Sequence, residues 1–282
     1  MENAEPIFQA ELILLVAFGL LYAAATVAYI ALLVSRSKAA GTVATVFLLL
    51  GLTAQTAALA FRAVEAGRLP FSSGYEMASC TVWGVGLVYA VSEFRTRQKQ
   101  LGAFVLPVMF AFSLLVWHWK EGIHRVLMPA LQNPFWLYVH VGTAILAYGG
   151  FGVAFALAVS YLVISGGEGK GSAGFLASRL PSLEWMDDYM YKVVAFAFVF
   201  QTLVVITGAI WAETAWGSPW SWDPKEVWSL ITWLIYALYL HARLTRDWKG
   251  RRAAWLNVIG FAAVIFTFVG VNLLPGLHSY AK

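Results

Sequence analysis

Long apolar runs alternate with short polar breaks along the whole chain. Eight of the runs approach or exceed the roughly 20 residues that carry a helix across a bilayer. They lie near Leu12–Val34, Thr42–Phe61, Tyr75–Val91, Leu101–Trp117, Phe135–Ile164, Tyr191–Trp211, Trp228–Ala242 and Ala253–Val271. The fifth is long enough to tilt or to project beyond the membrane. Connections are short except for 165–190, which opens on the flexible SGGEGKGSAG. It then becomes the amphipathic LASRLPSLEWMDDYM, expected to lie at the membrane interface as a cytoplasmic loop. The pattern predicts an all-α polytopic integral membrane protein of about eight transmembrane helices. With no soluble segment between the runs, residues 1–282 are read as a single transmembrane domain.

Composition agrees. The 282 residues are 60% hydrophobic and only 12% charged, well below the roughly 25% charged of soluble domains. Met1–Glu11 carries acids and no basic residue, so no cleavable signal peptide is expected. Cys80 is the only cysteine, so the chain holds neither CxxC nor CxxCH. It can neither run dithiol chemistry alone nor itself be a c-type cytochrome, and Cys80 reads as a small packing residue.

Charge sets the expected orientation. Of 19 lysines and arginines, 13 lie in the segments 35–41, 95–100, 165–192 and 243–252. The other 6, Arg62, Arg68, Lys120, Arg125, Lys225 and Lys282, alternate with them on the opposite side. The positive-inside bias places the first set in the cytoplasm and both termini outside. The net charge of +4 is therefore a topology signal, and no nucleic-acid partner is expected.

One outer connection stands apart. Residues 216–228, WGSPWSWDPKEVW, hold Trp216, Trp220, Trp222 and Trp228 with Gly217, Pro219, Pro224 and the charged Asp223, Lys225 and Glu226. Tryptophans at a membrane surface ordinarily form an aromatic belt. A belt, however, needs no fixed spacing, no backbone-shaping glycine and prolines, and no DPKE among its rings. Asp223-Pro224 also has the form of a helix start, with Asp as N-cap and Pro in the first turn. The loop 212–227 thus reads as a built surface.

The topology sorts the five histidines. His140, in LYVHVGTAILAYGGF, and His278, in NLLPGLHSY, fall at outer ends of spans on the side of the tryptophan loop. His118 and His124 belong to the outer loop after the fourth run and read as solvated side chains. His241 is at the inner end of the seventh span, fifteen residues after Glu226, a helical drop of ~22 Å. Ionisable groups in or beside a span are functional candidates by default. Two imidazoles facing an apolar indole shelf suit haem, a flat hydrophobic macrocycle whose iron takes two axial ligands. Zinc would want three or four close ligands, and no such cluster occurs in the sequence.

These residues resemble a known family. WGSPWSWDPKEVWSL resembles the tryptophan-rich WWD signature of membrane proteins that handle haem in cytochrome c maturation. HVGTAILAYGGF, YLHARL and GLHSY, with RLPFSSGYEMAS entering the third span, are similar to the CcsA (ResC) family, a subunit of the system II cytochrome c synthase. The resemblance implies that His140 and His278 ligate haem b against Trp216, Trp220, Trp222, Asp223 and Trp228. It implies that His241 is the transmembrane histidine that holds haem on its way out from the cytoplasmic side, completed by a histidine of a CcsB/ResB-like membrane subunit. The implied reaction attaches haem vinyl groups to the thiols of a CxxCH apocytochrome c, with a thiol-reducing system as further partner. No residue of this chain is then a nucleophile, and activity requires the partner. The implied location is the bacterial inner membrane. Three other readings compete: a CcmC-like haem chaperone or exporter, an ion-coupled transporter, and a non-catalytic respiratory assembly factor. Eight spans and His241 argue against the first, and the want of convincing mid-span acids argues against the second.

Overall fold

A computed structural model of the chain describes residues 4–119, 134–167 and 171–276. It is all-helical, and among the described residues no strand occurs. The helices are α1 (Ala4–Ser35), α2 (Lys38–Ala66), α3 (Gly74–Thr96), α4 (Gly102–His118), α5 (Pro134–Gly166), α6 (Gly171–Ala177), α7 (Leu183–Trp216), α8 (Pro224–Arg246) and α9 (Arg251–Phe268). All but α6 are long and apolar enough to cross a membrane, α4 together with the 3-10 turn Lys99–Leu101 before it, which gives eight candidate spans among the described residues. Seven of the eight expected runs are found inside one of them, and most helices extend beyond the run by a turn or more. The last helix instead gives way to a short 3-10 turn at Gly270–Leu273.

The amphipathic stretch after the flexible segment differs from expectation. LEWMDDYM is not a separate interfacial helix but the first two turns of α7, a helix of 34 residues. Pro181 and the N-cap Ser182, whose hydroxyl accepts from the Trp185 amide, set that start. The chain packs as two compact units, α1–α4 with residues 178–180, and α5–α9 with the rest of the carboxyl-terminal half.

In the first unit α1 lies along α2 and also packs on α4, while α3 packs on α2 and α4. Helices come close where glycine faces an aromatic ring, as expected when dispersion rather than water exclusion drives association in lipid. A Cβ on Gly51 would fall 2.6 Å from the Tyr22 ring, and one on Gly102 would fall 2.5 Å from the Tyr29 ring. Both tyrosines spend their hydroxyls inside the unit. Tyr22 donates to Gln55 Oε1 at 2.6 Å, and Tyr29 donates to Glu93 Oε2 at 2.5 Å.

Glu93 and Glu76 are buried acids at opposite ends of α3, which hydropathy alone does not flag. Glu76 caps the helix and accepts from Arg62 Nε (2.8 Å), both terminal nitrogens of Arg68 (2.9 and 3.1 Å) and the amides of Ser72 and Ser73. It therefore pins the RLPFSS connection. Neither acid lies mid-span, so neither revives the proton-relay reading.

In the second unit α5 packs along α7 and on α9, and α8 packs on α7 and α9. Tyr236 of α8 fills the middle, stacked on Phe151 at 3.6 Å and lying over Gly260. At the end opposite the tryptophan loop, buried Asp187 ties three elements together. Its Oδ2 meets Arg243 Nη2 of α8 at 2.6 Å, and its Oδ1 accepts the Gly250 amide of the α8–α9 turn at 2.8 Å. The neighbouring Asp188 pairs with Lys192, both more than half exposed.

The two aspartates should respond very differently to substitution. Asp187→Ala strands the Arg243 guanidinium in the unit's interior and should cost about 3–5 kcal/mol. Asp188→Ala breaks only a solvated i,i+4 pair, worth about 0.5 kcal/mol or less. Thermal unfolding of the two variants in detergent, followed by helical circular dichroism, checks the contrast; equal midpoints would contradict it.

Candidate functional site

The tryptophan loop joins α7 to α8 at one end of the second unit, and its shape follows from local chemistry. Gly217 closes α7 with φ of +74°, a left-handed turn that glycine adopts without strain. Asp223 is the N-cap of α8, accepting the Lys225 amide at 2.9 Å, with Pro224 in the first turn, as the sequence pattern predicts. Glu226 completes a reciprocal capping box by accepting the Asp223 amide at 3.3 Å. It also reaches back to the Ser221 amide (2.8 Å) and hydroxyl (3.1 Å). DPKE is thus the brace of the loop, while the tryptophans are what it displays.

Trp220 and Trp222 meet edge to face at 5.7 Å, and Trp228 lies 4.1 Å from Phe266 of α9. Trp216 is the last residue of α7. Trp222 is 75% exposed and has φ of +60°. The other described non-glycine residues with positive φ, Arg36, Arg97 and Asp247, directly follow helix ends. A large aromatic ring held exposed in a left-handed conformation costs on the order of 1–3 kcal/mol, the kind of strain that collects at functional sites.

His140 lies in the second turn of α5 and faces α7. Its Nδ1 is 3.3 Å from Thr207 Oγ1, and its ring is 5.6 Å from that of buried Trp211. Beneath the imidazole is Gly208, where a Cβ would come 3.0 Å from His140 Cε1. Thr207, Gly208 and Trp211 thus form a seat for this ring, and sequence reasoning passed over all three. The signal was present as TGAIW, which puts 207, 208 and 211 on one face of a helix. Thr207 precedes the end of α7 by nine residues, so the half-buried His140 sits ~13 Å short of that helix end.

His278 lies outside the described residues, as do His124, Lys120 and Arg125. The chain just before His278 is placed, however. A Cβ on Gly276 would overlap the Asp223 carboxylate and stand 3.0 Å from Pro224 Cδ. Residue 276 therefore abuts the brace of the loop, and only glycine fits there. Gly276→Val should dislodge this segment or the cap, at a cost of about 1 kcal/mol or more. Its expected signature is faster hydrogen exchange at the amides of 223–227, and unchanged exchange there would refute the packing.

His241 is not gathered with the others. It lies near the far end of α8, exposed on the same outward stripe as Leu234 and Leu238, while Tyr239 and Ala242 face inward. His118 is exposed at the end of α4. Among the described residues no group of three or more His, Cys, Asp and Glu could hold a metal ion.

Comparison with known proteins gives the chain its relatives. A model of the cytochrome c assembly protein family matches residues 71–278. The cytochrome c biogenesis protein CcsA of Thermosynechococcus vestitus is 37% identical over 80% of this chain and 82% of its own length. Those of Microcystis aeruginosa and Guillardia theta are each 36% identical, covering 79% and 80% of this chain and 83% and 81% of theirs. Among solved structures, the cytochrome c heme lyase CcmF superposes with a TM-score of 0.67 at 17% identity. That match covers 93% of this chain and 46% of CcmF, a likeness of fold. With the family model spanning both the tryptophan loop and the seat of His140, this chain belongs to the cytochrome c assembly protein family.

Proposed function

We propose that the chain takes part in cytochrome c biogenesis by holding haem b at the tryptophan-loop end of its second unit and presenting it to an apocytochrome c. The observation that carries this reading is the seat of His140 on Thr207, Gly208 and Trp211, at the end of the unit that displays Trp220 and Trp222. Haem is the substrate. His140 and His278 serve as its axial ligands, and the indole faces of Trp216, Trp220, Trp222 and Trp228 supply planar apolar contact. Asp223 acts through the backbone it caps.

In the reaction each substrate thiol adds across one vinyl group. A carbon–sulfur bond forms and the thiol hydrogen passes to the other vinyl carbon, with no net oxidation. No side chain of this protein attacks; its contribution is to fix the macrocycle and the iron. A thiol-reducing system keeps the CxxCH pair reduced.

His241 serves an earlier, separate haem. An imidazole on the outside of α8 suits ligation shared with another membrane subunit, which we take to be the CcsB/ResB-like protein that the sequence resemblance implies. The positive-inside bias supports a tryptophan loop facing the periplasm from the bacterial inner membrane.

The test is reconstitution. The chain and its partner, expressed with a CxxCH reporter in cells lacking their own maturation system, should yield a reporter that retains haem after denaturing electrophoresis. A reporter without haem, with both subunits inserted, would refute the synthase reading. Trp222→Gly separates display from folding in the same assay. It relieves the left-handed strain, so the unfolding midpoint should hold or rise, while haem bound and attached should fall. Undiminished haem would reduce the loop to a belt.

A further inference from the structure

Thr207 is itself back-bonded to its helix. Its hydroxyl donates to the Leu203 carbonyl at 2.6 Å, the i to i−4 bond that threonine forms in apolar surroundings. Its hydrogen is therefore committed, and its oxygen offers a lone pair to whatever lies 3.3 Å away, which is Nδ1 of His140. An imidazole nitrogen beside a lone pair must carry the proton. We infer that Thr207 is a positioning residue that fixes His140 as the Nδ1–H tautomer, so that Nε2 carries the lone pair toward the haem iron.

Two further features hold the ring in that orientation. Gly208 lets the imidazole lie against the α7 backbone, and the Trp211 ring, 5.6 Å away and tilted by 52°, packs beside it. Thr207 is 7% exposed, so water does not compete freely for the Nδ1 proton. The arrangement is the hydroxyl counterpart of the carboxylate or carbonyl that commonly orients a metal-bound histidine through its second nitrogen. An accepted Nδ1–H bond also makes Nε2 a stronger donor and favours ferric over ferrous iron. Thr207 therefore sets haem affinity and potential without touching haem. The inference rests on His140 being an iron ligand, but its first test does not.

That test uses the full-length chain in detergent, without haem, labelled with 15N-histidine. The His140 resonances are assigned by their loss in His140→Gln. The wild type should show one tautomer, with Nδ1 protonated. Thr207→Val, which keeps the shape and removes the oxygen, should release the ring to a mixture enriched in the Nε2–H form. Thr207→Ser should restore the wild-type pattern. With haem and partner present, Thr207→Val should weaken haem binding ~10- to 100-fold and raise the midpoint potential, and Ser should rescue both. An Nε2–H or mixed wild-type ring, or a Val variant with the wild-type pattern, overturns the positioning role. Retention of the outer haem by His140→Ala would instead overturn the ligand assignment, a failure the haem-free spectrum distinguishes.

Discussion

His140→Ala is expected to abolish haem attachment while the protein still inserts and folds. The side chain is half-buried between α5 and α7 and contributes little to the core compared with Tyr236 or Phe151. Its removal leaves Gly208 and Trp211 around a small gap, a modest cost for a unit this size. For haem the loss is of another order. Disturbing a residue that merely orients a ligand costs ~10- to 100-fold in affinity, and deleting the ligand itself costs more. Added imidazole should enter the gap and partly restore attachment, because it supplies the missing nitrogen. The assay is covalent haem on a CxxCH reporter. Wild-type yield from His140→Ala would remove this residue from the site.

The second large effect concerns His241. Across α7 and α8 Gln201 meets Ser229 and Asp187 meets Arg243, which sets Thr207 level with the start of α8. His241, fifteen residues or ~22 Å further along α8 than Glu226, is then too far from His140 to share the iron proposed for it. His241→Ala should therefore empty the whole pathway, since supply fails before the outer site fills. His140→Ala should spare the inner haem. The wild-type chain expressed without its partner should behave as His241→Ala does, because the second ligand of the inner haem is proposed to come from the partner. Haem per protein, measured at matched expression, decides. Equal content with and without partner would refute the two-site, two-subunit account.

Much of this architecture was legible in the residues. Apolar runs of membrane length name the spans because lipid leaves a helix no other way to satisfy its backbone. DPKE announced the start of α8 because capping chemistry is local. What stayed hidden joins residues far apart. Glu76 reaches Arg62 across 14 positions, and Asp187 reaches Arg243 across 56, without any periodic trace. Arg243 counts as a loop cation in the charge bias, yet it folds inward onto Asp187. The same paired aspartate explains why LEWMDDYM, amphipathic in isolation, belongs to α7. For the site, the sequence supplied the histidine but not its seat, since Thr207 and Trp211 read as ordinary residues of a span until α5 is laid against α7.

The central claim is that His140 binds the iron of a haem at the tryptophan-loop end of the second unit. It is tested most directly by the absorption spectrum and haem stoichiometry of the purified chain with its partner, wild type beside His140→Ala. The account predicts a low-spin bis-imidazole spectrum in the wild type. It predicts that the His140→Ala preparation loses the outer haem, keeps the inner one, and recovers the lost fraction when imidazole is added. A colourless wild-type preparation at full occupancy, or a His140→Ala spectrum and stoichiometry identical to wild type, would contradict it.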